Sequence, residues 1–324
     1  LLLFPTVDWR INWIRGIRRR MPKWLCLGFR LNDNNGFPLR KEEITMQRLV
    51  TLGVGILLAL GLTLPGWTSS YASPELLIST EELARQLSAP DVRIIDVRIP
   101  EEYKTGHIPG AAHLPAKTFL AVVRGVADEV PAIEMLAAKF GELGITPATR
   151  VVIYDEAGGI QATRLFWTLE YLGHSRVSLL DGGFQKWAVE RRPISNEAPQ
   201  IQPTKFQARL DPSKYADAAY VLLNLKKPEA VLVDARLPRE YRGEIPSKEV
   251  KRAGRIPGAV GVAVEEHFVK QAGYSSLKEA SVLAELFEKA GVTKDKEAIV
   301  YCRTGMRATQ TYFVLRLLDY PRVR

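Results

Sequence analysis

Among 324 residues there are only two cysteines, Cys26 and Cys302. Cys302 lies in the stretch Ile299, Val300, Tyr301, Cys302, Arg303, Thr304, Gly305, Met306, Arg307, Ala308, Thr309. The apolar run before it predicts a buried strand. The apolar positions after it (Tyr312, Phe313, Leu315, Leu317, Leu318) predict a helix. A strand, a tight loop and a helix start aim several backbone N–H groups at one point, backed by the positive end of the helix dipole. That ring, with Arg303 and Arg307, favours thiolate over thiol, because each donor or cation stabilises negative charge. The pattern is that of a nucleophilic cysteine. The bland alternative is a small cysteine buried behind a strand.

Two stretches of the chain repeat each other. The first has Asp96, Val97, Arg98, Glu102 and Tyr103, then Gly106, His107, Ile108, Pro109, Gly110, Ala111. The second has Asp234, Ala235, Arg236, Glu240 and Tyr241, then Gly254, Arg255, Ile256, Pro257, Gly258, Ala259, with about ten more residues before its glycine turn. Farther along, Val151–Asp155 matches Ile299–Cys302, and Thr163–Trp167 matches Thr309–Phe313. Asp155 therefore stands where Cys302 stands. Its loop is one residue longer, acidic at Glu156 and without arginine.

Short apolar strands are predicted at 92–97, 151–154, 177–180, 230–234 and 298–301. Helices are predicted at 79–88, 131–143, 160–172, 214–226, 276–290 and 306–318. Alternation of this kind implies a mostly parallel α/β sheet covered on both faces. Asp234 with Arg236, like Asp96 with Arg98, falls just past a strand. There a carboxylate accepting loop N–H groups and an arginine bracing the neighbouring loop are structural.

Charge and leader bound the rest. The formal net charge is +9, of which residues 1–45 hold +5 and the chain after Ala72 only +3. Since the body has no basic stripe interleaved with aromatics, no nucleic-acid partner is expected. Residues 46–72 read as a signal peptide: Met46 and Arg48, an apolar core at 49–64, then Pro65 and Ser70-Tyr71-Ala72. This implies export to the periplasm or an equivalent compartment, with no stable membrane partner after cleavage. A membrane anchor over 49–64 is the alternative. Residues 1–45 stay unassigned and read as lying upstream of the true start at Met46. With Cys26 in the leader, the mature chain would keep one free thiol. The four histidines (His107, His113, His174, His267) lack metal-ligand spacing, so neither metal nor other cofactor is expected.

These motifs, together with Asp181-Gly182-Gly183-Phe184-Gln185-Lys186-Trp187, resemble the tandem-domain rhodanese family of sulfurtransferases over residues 76–324. The resemblance implies two tandem α/β domains, each a mostly parallel five-stranded sheet flanked by helices. A degenerate domain would span 75–190, a linker 191–205 and a catalytic domain 206–324. The second copy stops at Tyr320-Pro321-Arg322-Val323-Arg324. It is expected to lack its last strand and the Asp-Gly-Gly signature, leaving an open sheet edge beside the site.

The resemblance further implies a persulfide on Cys302, formed by attack on the sulfane sulfur of a small anionic donor and discharged to a thiol or cyanide. Residues Arg303, Thr304, Gly305, Met306 and Arg307 would bind substrate. Asp234, Arg236 and Glu240 would be structural near the site, with one loop arginine able to pair with Glu240. Cys302-Arg303-Thr304-Gly305 is similar to the basic loops of thiosulfate-using members. Glu240, where some members have a substrate-binding arginine, and Thr304, where some have lysine, depart from that pattern. Arg307 or a charge from the first domain could compensate. The alternatives are a mercaptopyruvate-using sulfurtransferase, a persulfide relay with little small-donor turnover, or an inactive module. A phosphatase or arsenate reductase is disfavoured, because only four residues separate Cys302 from Arg307. A monomer is expected.

Overall fold

A computed structural model describes residues 70–156, 159–245 and 252–324. The leader reading at 1–45, and that at 46–72 as far as residue 69, lie outside the described residues. The first copy runs β1 (Leu77–Ile78), α1 (Thr80–Arg85), β2 (Val92–Asp96), α2 (Pro100–Thr105), β3 (Ala112–His113), β4 (Ala121–Val123), β5 (Val126–Glu129), α3 (Ile133–Glu142), β6 (Arg150–Tyr154), α4 (Ile160–Tyr171), β7 (Val177–Leu180) and α5 (Gly183–Val189). Its sheet has five strands in the order β1-β7-β6-β2-β3, all pairs parallel. The mostly apolar central strands β2, β6 and β7 fit this arrangement, since helices cover both faces. Strands β4 and β5 form a separate antiparallel hairpin.

The second copy runs α6 (Ala218–Asn224), β8 (Ala230–Asp234), α7 (Pro238–Tyr241), β9 (Val260–Gly261), β10 (Phe268–Lys270), β11 (Ser275–Leu277), α8 (Ala280–Lys289), β12 (Glu297–Tyr301) and α9 (Met306–Leu317). Its sheet is the parallel trio β12-β8-β9, and β10–β11 is the counterpart hairpin. A full last strand is absent among the described residues, as expected. The edge of β12 is nevertheless partly covered: Val323 bridges Ala298 in parallel, and backbone bonds join Ala298 and Val300 to Arg322 and Arg324. In the first copy β1 pairs only with β7, and among the described residues no counterpart of β1 joins the second sheet.

Three predicted helices are clearly shorter than expected, and the first, at 79–88, forms only over Thr80–Arg85. The stretch 276–290 opens as strand β11 and turns helical only at Ala280. The stretch 214–226 contains a 3-10 turn (Pro212–Lys214) before α6, which Asp217 caps by accepting the Tyr220 N–H. The two hairpins and the two-residue strands β1, β3 and β9 escape periodicity, which needs longer windows than they offer.

The centre of the molecule is the pair α4 and α9. Nine of the twelve residues of each are buried, including Thr163, Arg164, Thr168, Glu170, Thr309, Gln310 and Thr311. A helix buried all round lies between two layers rather than on one face. Phe166 meets Phe313 edge to face with centroids 5.0 Å apart, an arrangement adding about 1 kcal/mol beyond its buried area. Glu170 of α4 accepts from Tyr312 Oη at 2.6 Å and Arg316 Nη2 at 3.1 Å of α9. The helices follow the carboxyl ends of the matching strands β6 and β12, so this contact brings the two loops of the repeat toward one another.

Candidate active site

Both loops are built alike from the sheet upward. In β8–β12 the register sets Asp234 opposite Tyr301, and in β2–β6 it sets Asp96 opposite Tyr154. Tyr301 Oη donates to Asp234 at 2.9 Å while accepting from the Ile256 N–H. Tyr154 does the same with Asp96 and Ile108. Burial pushes both tyrosines well above the ordinary phenol range, so each remains a neutral donor. Asp234 also accepts from Arg236 at its backbone N, Nε and Nη2, the last at 2.6 Å. Arg236 passes its remaining reach to the Gly254 carbonyl at 2.7 Å. Asp234 and Arg236 thus tie the strand end to the glycine turn and lie beneath the loop.

Cys302 follows β12 as a half-buried free thiol. Gly305 caps α9 in the left-handed region at φ 87°, a conformation glycine takes without strain. Its N–H turns back to donate to Cys302 Sγ at 3.2 Å. Arg303 is exposed, whereas Thr304, Met306 and Arg307 are half-buried. Arg307 is engaged by Glu240, with Nη1 to Oε2 at 2.5 Å and Nη2 to Oε1 at 3.0 Å. This two-pronged pair holds the Glu240 carboxyl below the usual carboxylate range and raises Arg307. Glu240 also accepts from the Leu237 N–H, so α7 presents it to the loop.

The sister loop shows what such a cradle attracts. Asp155, fully buried, turns its carboxylate inward and accepts the N–H groups of Gly159 (3.0 Å), Gln161 (3.1 Å) and Ala162 (3.3 Å). Burial pushes its carboxyl up, and the three donors oppose that. Gly159 caps α4 at φ 70°, as Gly305 caps α9. One loop therefore fills its ring of donors with its own carboxyl group, and the other offers a sulfur at the same station. Glu156 of the degenerate loop pairs with Arg98 at 3.3 Å.

One residue near the loop was not singled out from sequence. Arg164 of α4 is 5% exposed, and a Cβ placed on Gly305 would meet its Nη1 at 3.0 Å. The Thr163–Trp167 repeat could have drawn attention to it, but helical periodicity treats it as one more turn.

The duplication of fold and loop points to one family, and the family model for the rhodanese-like domain matches twice, at residues 79–190 and 217–324. The chain belongs to the rhodanese-like family. This rhodanese-like chain is 37% identical over 270 residues to a sulfur carrier protein of Thermus thermophilus, covering 78% of this chain and 92% of that one. It is 35% identical over 255 residues to a thiosulfate sulfurtransferase of Azotobacter vinelandii, with the same shares covered. Against the 3-mercaptopyruvate sulfurtransferase of Escherichia coli it is 29% identical over 258 residues, covering 76% and 90%. Among solved structures, SseA of Escherichia coli superposes with a TM-score of 0.68 at 29% identity, over 77% of this chain and 96% of that chain.

Proposed function

We propose that this rhodanese-like protein is a sulfurtransferase that takes the sulfane sulfur of thiosulfate onto Cys302 and passes it to cyanide or a thiol. The observation that carries the reading is the pair of sister loops. A carboxyl group accepting three N–H donors fills the ring in one, and a half-buried thiol with the Gly305 N–H on its sulfur stands at the mouth of the other.

The thiolate is the attacking form. Cys302 Sγ forms a bond to the outer sulfur of thiosulfate as that sulfur's bond to the sulfonate breaks. Sulfite leaves with the electron pair, and the enzyme keeps a persulfide whose outer sulfur bears the negative charge. Cyanide or an acceptor thiolate then attacks the outer sulfur, and Sγ departs again as thiolate. This is two-step covalent catalysis and implies ping-pong kinetics. Loop N–H groups of residues 303–307 would hold the terminal sulfur. Arg303, exposed at the rim, is suited to meet the sulfonate. The basic Cys302-Arg303-Thr304-Gly305 loop favours thiosulfate over mercaptopyruvate, and a steady-state comparison of the two donors tests the preference.

A persulfide relay is the second reading. The Glu240 fork on Arg307 removes one cation from the set that would hold a small donor, and a relative bears the name sulfur carrier protein. A relay would hold sulfur on Cys302 yet turn over thiosulfate slowly and protein persulfides quickly. The leader pattern at 46–72 supports export. Fractionation of expressing cells tests it: product retained in the cytoplasm at full length would contradict it.

A further inference from the structure

We propose that Arg164, from the degenerate domain, is a positioning residue for the reaction at Cys302. Its buried guanidinium lies behind the catalytic loop at Gly305 and supplies the positive charge that favours anionic sulfur there. The inference rests on the sulfurtransferase reading of the site and adds a residue from outside the catalytic domain.

The geometry is specific. Gly305 has no side chain, and the space a Cβ would take is bounded by Arg164 Nη1 at 3.0 Å. Arg164 Nη2 is anchored on the Asp128 carbonyl at 2.5 Å, so hairpin β4–β5 fixes the fork. The guanidinium also lies over the Trp167 ring, 4.9 Å from its centroid. Its Nε is buried and has no partner among the described residues. No carboxylate forms an ion pair with it among them. An arginine held in that state is still charged, and a charge shielded from water acts farther than one at the surface.

The charged or titratable groups that interact electrostatically with Arg164 are Glu129, Asp128, Cys302 and Tyr215. Burial lowers its proton affinity below the ordinary guanidinium value, and those groups offset only part of that. Arg164 also lines a cavity of about 120 Å³ with Trp167, Tyr215, Thr309 and Tyr312.

The internal repeat supplies the control. Gln310 of α9 stands toward Gly159 as Arg164 stands toward Gly305, with its Nε2 at 3.4 Å from the position of a Cβ. The loop that already holds the Asp155 carboxylate thus meets a neutral amide. The loop that must create negative charge on sulfur meets a cation. A purely structural filler would have no reason to differ in charge between the two stations.

The test measures alkylation of Cys302 in the full chain, read on the Cys302 peptide, with anionic iodoacetate and neutral iodoacetamide. Their rate ratio reports local positive charge without requiring any sulfur donor. Arg164→Gln, which copies the sister station, should lower the ratio about five- to tenfold, and Arg164→Lys should restore most of it. An unchanged ratio in Arg164→Gln, or equal loss in Arg164→Lys, would overturn the proposal. So would a wild-type ratio no higher than that of free cysteine, a result that does not depend on any variant folding. Thiosulfate loading is followed in parallel. If the wild type takes up no sulfur, the functional reading fails, while the alkylation ratio still judges Arg164.

Discussion

Glu240 governs how much positive charge the loop can offer a donor. Its two oxygens occupy both terminal nitrogens of Arg307, and the pair is largely shielded, at 18% and 22% side-chain exposure. Glu240→Gln frees that fork, and KM for thiosulfate should fall about three- to tenfold in steady-state assays. The same change should lower stability at neutral pH by about 1 kcal/mol in urea titrations. The pH dependence has a definite sign. Pairing with Arg307 holds the folded Glu240 pKa below its unfolded value. Its contribution is therefore present in full above the unfolded carboxylate value, about 4.3, and is lost as pH falls through the folded one. Wild type and Glu240→Gln should converge in stability on acidification. A gap that persists at the lowest pH would show that the pair stabilises by packing rather than charge. The identity of this partner was legible from sequence as one option among several. The two-pronged geometry was not, because it depends on how α7 turns.

At the scale of elements, the start of α9 is the most sensitive point. Gly305 has φ 87°, and Arg164 closes the space beyond it. Gly305→Ala should destabilise the fold by about 1–2 kcal/mol and slow sulfur loading, both measurable on one preparation. A variant as stable and as fast as wild type would show that the loop tolerates a side chain there. A second element carries an acid-labile group. His267 ends the 3-10 turn Val264–His267, fully buried, with neither ring nitrogen partnered among the described residues. Burial, with the Lys278 charge, pulls it down to about 3. The unfolded histidine takes a proton near pH 6.5. Stability owed to the neutral ring is therefore complete above that value and is lost as pH falls from there toward about 3. His267→Leu should flatten the stability slope between pH 6 and 4 by up to about 1.4 kcal/mol per pH unit, seen as a smaller drop in urea midpoint. An unchanged slope would assign the acid sensitivity elsewhere.

Across the whole molecule, α4 and α9 join the two copies through an aromatic pair and a buried Glu170, Tyr312, Arg316 cluster. Phe313→Ala should remove about 3–5 kcal/mol. Far-ultraviolet dichroism and tryptophan fluorescence should still report one coincident transition, since one core cluster spans both copies. Separate transitions would mean that each copy folds alone. Much of this architecture was legible in the sequence: the central strands and the long helices reappear where short apolar runs and helical spacing predicted them. The misses have physical causes. Strands β1, β3 and β9 have two residues each and exist only because a neighbour pairs with them. Arg164 was overlooked because a helix pattern does not reveal which loop of the other domain its side chain will meet.

The central claim is that Cys302 accepts sulfur, and intact mass tests it most directly. Protein incubated with thiosulfate and freed of small molecules should gain one sulfur, about 32 Da, that cyanide removes as thiocyanate. Cys302→Ser should gain nothing. A wild type that gains no mass from thiosulfate, mercaptopyruvate or a persulfide donor, or a Cys302→Ser variant that gains as much, would contradict the account.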